Sequence, residues 1–251
     1  MAFEEHLTVA KQKKSLWETA IKTGTRFFKP QAVAFVLSAT VFFTNSLIAN
    51  PFSFASDTQK NTDSKVDVNR ITELLEQLPV KGRAPKTGYS RSAFGPQWSD
   101  VDRNGCDTRN DILKRDLTNL VFRAKTRDCV VETGTLLDPF SNSQIDFQRG
   151  VKSSMLVQID HVVSLSNAWQ TGIFRATLKT RTEFANDPIN LLAVKGSLNS
   201  QKGDGDAATW LPPNKAFRCK YVSTQVEVKS KYQLWVTTAE RDAIVRVLAN
   251  C

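Results

Sequence analysis

The chain has 251 residues, 41% apolar and 24% charged, with 11 Gly and 9 Pro, which excludes collagen-like, disulfide-dense miniature and wholly disordered classes. A length of this order holds one sizeable domain or two small ones, each with a buried core. The formal net charge of +9 favours polyanionic partners such as nucleic acid or an anionic membrane surface and says nothing of fold. Residues 31–49 are apolar and uncharged, and they follow Lys11, Lys13, Lys14, Lys22, Arg26 and Lys29. Basic residues ahead of an apolar core are the pattern of an export signal, either a cleaved peptide or an anchor. The small residues Ser53 and Ala55 offer a cleavage point after Ala55, so residues 1–55 are assigned to the leader and 56–67 to a polar linker.

Within residues 68–251 the apolar positions Ile71, Leu74, Leu75 and Leu78 recur at helical spacing, between an Asp67 cap and Pro79. A turn-rich stretch follows, and Asn110 to Leu117 read as a helix. Residues 119–123 and 129–133 predict a hairpin. The run 155–163 (MLVQIDHVV) is the clearest buried strand, and 189–194 (INLLAV) is a second, after a polar and partly helical insertion. A short helix is predicted from Gly196-Ser197, then two amphipathic helices near 217–231 and 238–249. The second of these is opened by a Thr237–Glu240 capping box. The fold class is α+β, one domain.

The charge and the cysteines narrow the function. Six basic and three acidic residues precede Ser56, so residues 56–251 carry +6; of this, 151–251 supply 13 basic against 8 acidic residues. An anionic ligand is therefore expected on the C-terminal half. Cys106, Cys129, Cys219 and Cys251 all follow the leader, and an even count in an oxidising compartment implies two disulfides. Of three connectivities, Cys106–Cys129 and Cys219–Cys251 are favoured because each staples neighbouring elements. A zinc site lacks the Cys-x-x-Cys pair it would need.

Only His6 and His161 are present, and His161 follows Asp160 at the end of the strongest strand. A carboxylate there is costly unless paired or bound to a cation. Beside it, an imidazole with a near-neutral pKa suits proton abstraction from water. Asn190 opens the next strand and Asn199 lies on the helix after it. A strand with Asp-His, a strand with Asn and a helix with Asn give the order of a ββα-metal finger. On these residues the chain resembles the HNH (His-Me finger) nucleases, and within them the exported branch related to the C-terminal domain of GmrSD restriction enzymes. The runs YSRSAFG (89–95), WSDVDRNGCDTRNDIL (98–113), FANDPINLLAV (184–194) and KGDGDAATWLPP (202–213) extend the resemblance over 85–251.

The resemblance implies a metal-dependent endonuclease of low sequence specificity, acting on DNA, with RNA as a second substrate, and working as a monomer. His161 would be the general base and Asn190 would fix the segment that carries it. Asp160 and Asn199 would hold one divalent ion. The third letter of the motif is Asn199 instead of His, and one carboxylate with one amide oxygen suits a hydrated hard ion, Mg²⁺ or Mn²⁺, better than Zn²⁺. Lys202 and Arg109 are the candidate phosphate contacts, with Arg115 a weaker one. Lys215, Arg218, Lys220, Lys229 and Lys231, near Trp210, Tyr221, Tyr232 and Trp235, form a candidate nucleic-acid face. Asp100, Asp102, Asn104 and Asp107 have part of the spacing of a calcium loop. Two other classes remain: a catalytically silent nucleic-acid-binding protein of the cell surface, and a structural envelope protein.

Overall fold

The computed structural model describes residues 66–151 and 153–251. The leader over 1–55, its cleavage point at Ala55 and the linker as far as residue 65 lie outside the described residues. The first helix, α1 (Val68–Gln77), is capped by Asp67, whose Oδ1 accepts the Arg70 N–H at 3.1 Å. Asp107 caps α2 (Thr108–Asp116) in the same way, through the Asn110 N–H. The predicted hairpin is β1 (Thr118–Phe122) against β2 (Val131–Leu137), and β2 also pairs antiparallel with β3 (Gln144–Gln148). This third strand escaped the sequence reading. In it only Phe147 is buried, so QIDFQ carries little apolar signal.

A separate two-stranded sheet joins β4 (Val157–His161) to β5 (Leu191–Lys195), antiparallel, with Asp160 opposite Leu192 and His161 opposite Leu191. The 29 residues between these strands carry α3 (Leu165–Gln170), α4 (Leu178–Ala185) and two 3₁₀ turns, Ile173–Arg175 and Pro188–Asn190. Thus Asn190 ends a turn one residue before β5 instead of opening the strand. Immediately after β5 comes α5 (Gly196–Lys202). A Cβ at Gly196 would lie 2.0 Å from the Met155 carbonyl oxygen, so the entry to α5 is tight enough to require glycine. The chain closes with α6 (Arg218–Lys231) and α7 (Thr238–Leu248), the latter opened by the Thr237–Glu240 capping box.

The β4–β5 hairpin lies between two apolar clusters. Strand alternation turns Val157, Ile159, Leu191 and Ala193 toward Ile112, Leu113, Leu117, Leu136 and Phe147 of α2 and the three-stranded sheet. The opposite side, with Val194, meets the helical cluster that includes Ile71, Leu75, Tyr221, Val226 and Ile244. Leu165, Trp169, Phe184 and Phe94 form a third cluster around the insertion. The two disulfides are Cys106–Cys129 and Cys219–Cys251. The first ties the loop before α2 to the loop before β2, and the second ties α6 to the chain terminus. Among the described residues no helix is long and apolar enough to cross a membrane.

Candidate active site

The same alternation that builds the core separates the two residues of the Asp-His pair. Gln158 and Asp160 project over α5, whereas His161 shares its face with Val157 and Ile159. On α5, Asn199 and Lys202 are three residues apart and so occupy one helix face. They meet the two strand positions in register: Asn199 Nδ2 donates to Gln158 Oε1 at 2.9 Å, and Lys202 Nζ donates to Asp160 Oδ1 at 2.8 Å. The Lys202 ammonium also donates to the His161 carbonyl oxygen at 2.7 Å. Its side chain is 0% exposed and that of Asp160 is 3%. The expectation that Lys202 meets substrate phosphate is therefore corrected. Its charge is spent on a buried carboxylate and on the backbone of the candidate base.

Asp160 is only half satisfied. Its Oδ2 is buried and has no hydrogen-bond partner among the described residues. Buried carboxylate oxygens are normally paired, so Oδ2 has capacity for a further partner, a water or a cation. Asp160, Asn199 and His161 line one cleft of about 250 Å³, together with Tyr89, Arg91 and Ser166. Asp204 also borders it; its carboxylate accepts from Lys86 Nζ at 2.6 Å and Ser166 Oγ at 3.1 Å, and the Lys86 hydrogen bond holds it below the usual carboxylate range. No group of three or more His, Cys, Asp or Glu side chains is arranged around a metal position among the described residues.

His161 is oriented from three directions. Its Nε2 lies 2.9 Å from the Ala185 carbonyl oxygen at the end of α4. A carbonyl only accepts, so Nε2 carries the proton and Nδ1 keeps its lone pair. The ring is buried, and burial pushes its pKa down from 6.5 to about 4, against the smaller opposing effects of the Ala185 hydrogen bond and the Asp160 charge. It is thus neutral at ordinary pH. The Trp98 indole packs near-parallel to it, with centroids 6.1 Å apart and planes 17° apart.

Asn190, 0% exposed, locks the chain just beyond His161. Its Oδ1 accepts the Val163 N–H at 2.8 Å, its Nδ2 donates to the Val163 carbonyl at 3.2 Å, and its own carbonyl accepts the Val162 N–H at 2.8 Å. The turn holding Asn190 is braced in turn by Arg115, which donates to the carbonyls of Pro188 and Leu191. Arg115 therefore serves the scaffold. Arg109 is half-buried beside Arg149 and Asp107, burial lowers its pKa, and it lines neither cleft that contains His161.

Other sequence candidates are also redirected. Lys229 is buried against Glu240 and the Trp235 carbonyl, Lys231 binds Asp187, and Arg218 donates to the Pro212 carbonyl. Tyr221 is in the core. The predicted basic aromatic face is thus largely structural. Asp100 and Asp102 accept backbone N–H groups of Asn104 and Gly105, which makes that loop a turn closed by its own carboxylates. Conversely, the sequence reading gave no role to Arg91 or Trp98. Arg91 is exposed, makes no ion pair among the described residues and lines both clefts that His161 borders. Its only sequence signal is membership of the YSRSAFG run.

The family model described as GmrSD restriction endonucleases, C-terminal domain, matches residues 107–247. An uncharacterized secreted protein of Arthroderma benhamiae is 37% identical over 180 residues, which cover 71% of this chain and 83% of the relative. No solved structure matches. With a hairpin carrying Asp160 and His161, a helix carrying Asn199, and a family match over most of the described chain, the protein belongs to the GmrSD restriction endonuclease C-terminal domain family.

Proposed function

We propose that this protein is an exported, metal-dependent endonuclease that hydrolyses phosphodiester bonds of DNA and RNA with little sequence specificity. The observation that carries the reading is the His161 hydrogen bond to the Ala185 carbonyl. It fixes the Nε2–H tautomer and leaves Nδ1 free to take a proton from water in a cleft shared with Asp160 and Asn199. Attack of that water on phosphorus breaks the bond to the 3′ oxygen, so the products carry 5′-phosphate and 3′-hydroxyl ends.

The donor set fits a hard divalent ion, Mg²⁺ or Mn²⁺. Asp160 Oδ2 is an orphaned buried oxygen, and the Asn199 amide gives its NH₂ to Gln158, which leaves a carbonyl oxygen as the second donor. Such an ion supplies charge neutralisation at the scissile phosphate and the departing oxygen. The Lys202 ammonium on Asp160 Oδ1 offsets the carboxylate charge, so affinity for the ion is expected to be weak. Arg91 would bind substrate phosphate: it is exposed, makes no ion pair among the described residues and borders both His161 clefts. Lys202 acts on His161 through its carbonyl oxygen and Asn190 through Val162 and Val163 just beyond it, and both are positioning residues. Export rests on the basic-then-apolar N-terminus, the two disulfides and the secreted relative.

The test is incubation of plasmid DNA and of a structured RNA with the protein in Mg²⁺, Mn²⁺ or EDTA, followed by end-group mapping. Metal-dependent products bearing 5′-phosphates support the reading. Cleavage that persists in EDTA, or that leaves 3′-phosphates, contradicts it. Binding without cleavage in either metal would favour the silent nucleic-acid-binding alternative.

A further inference from the structure

On the far side of His161 from α5 lies a second cleft, of about 300 Å³, lined by Arg91, Phe94, Pro96, Trp98, His161 and Asn186 among others. Its walls are mostly apolar, with rings from Phe94, Pro96 and Trp98, and it opens beside the candidate base. Three features distinguish it from a packing void. Trp98 is a non-glycine residue held at φ 57°, a region that bulky side chains enter only under strain, and this strained backbone presents its indole to the cleft next to His161. Gly95, at φ 82°, keeps the loop against α4; a Cβ there would lie 2.3 Å from Thr182 Oγ1. Asn186 is 1% exposed, donates its Nδ2 to the Thr182 carbonyl, and has an Oδ1 without any partner among the described residues. Asn186 borders the cleft, and its buried amide oxygen has capacity for one further donor.

A planar ligand with an apolar face for Trp98, an N–H edge for Asn186 Oδ1 and an attached phosphate for Arg91 fits this lining. We propose that this cleft takes one unpaired nucleobase of the polynucleotide, stacked on Trp98, with Asn186 Oδ1 accepting from its edge and Arg91 on the adjoining phosphate. The proposal rests on the nuclease reading and narrows it: the substrate is single-stranded, or locally unpaired, at the nucleotide beside the scissile phosphate. Every base has a π-face, so stacking of this kind is tolerant of sequence. A paired base in a duplex cannot reach such a cleft without being unstacked.

The experiment compares equilibrium binding, by fluorescence anisotropy in EDTA, of a short DNA single strand, an abasic strand of equal length and charge, and the corresponding duplex. Wild type is expected to bind the intact strand at least about tenfold more tightly than the abasic strand, and more tightly than the duplex. In Trp98→Leu the ratio of intact to abasic should fall toward one, and in Trp98→Phe, which keeps a ring, most of it should return. Melting curves establish that each variant is folded, and the wild-type comparison stands even where a variant is not. Equal binding of intact and abasic strands by wild type overturns the proposal, as does an unchanged ratio in folded Trp98→Leu. Displacement of the strand by a free nucleoside monophosphate as readily as by a second strand would assign the cleft to free nucleotides and overturn the polynucleotide commitment. Cleavage in Mg²⁺ or Mn²⁺ is scored separately. A base-dependent ratio without cleavage keeps the subsite and removes the nuclease reading, whereas cleavage with no base dependence does the reverse.

Discussion

Lys202→Met removes the ammonium that the structure buries between Asp160 and the His161 carbonyl while keeping a similar volume. Lys202 and Asp160 have side-chain exposures of 0% and 3%, so neither has water as an alternative partner. Removing one partner of a buried ion pair leaves the other uncompensated and costs about 3–5 kcal/mol. Loss of the 2.7 Å hydrogen bond to His161 adds about 1 kcal/mol. The variant is therefore expected to unfold in urea with a stability about 4–6 kcal/mol below wild type when both are measured in EDTA. The same substitution strips Asp160 of its competing cation, so Mn²⁺ should stabilise the variant more than wild type. An ion present at 100 times its Kd stabilises by about 2.7 kcal/mol, which sets the scale of the rescue. A variant within about 1 kcal/mol of wild type in EDTA would refute the buried pair. Equal Mn²⁺ stabilisation of both proteins would refute the claim that Lys202 and the ion share Asp160.

Three further outcomes follow from particular contacts. Cys219→Ser opens a disulfide spanning 32 residues and should lower stability by about 3–4 kcal/mol under oxidising conditions, with no difference from wild type once both are reduced. Asn190→Ala strands the buried Val163 N–H and carbonyl, which costs about 2–3 kcal/mol in urea unfolding; a loss below about 0.5 kcal/mol would deny the bridge. His161, buried and neutral with a pKa of about 4 against 6.5 when unfolded, confers pH-dependent stability. The unfolded chain takes up this proton first, so the contribution is complete above pH 6.5 and is lost as the pH falls toward 4, about 3 kcal/mol in all. The stability difference between wild type and His161→Gln in EDTA should shrink over that window, and a difference independent of pH would count against the buried neutral ring.

What the sequence made legible was whatever is encoded locally. The caps at Asp67 and Thr237 lie within a few residues of the N–H groups they satisfy, and both helices start where the cap predicts; the Asp107 cap went unread, and its helix begins at Thr108, two residues before the predicted Asn110. The β4–β5–α5 unit was readable because its strands are apolar and its polar exceptions, Asp160, His161 and Asn199, stand out against them. Long-range pairing was not. Lys202 reads as a solvated lysine until β4 is laid across α5, and Lys229 does so until α6 is placed beside Glu240. The loop carrying Arg91 and Trp98 left no periodic pattern, and no residue-type preference announces a tryptophan at positive φ. The side chains that shape the far side of the site were therefore the ones missed.

The most direct test of the account is the cleavage rate of supercoiled plasmid by wild type and His161→Ala in Mn²⁺, with both proteins folded by their melting curves. A general base contributes about 10²–10⁴-fold, and no second imidazole occurs between residue 7 and the C-terminus, so nothing of the same chemistry can replace it. His161→Ala is expected to nick plasmid at least about 100-fold more slowly than wild type. Equal rates for the two proteins would contradict it.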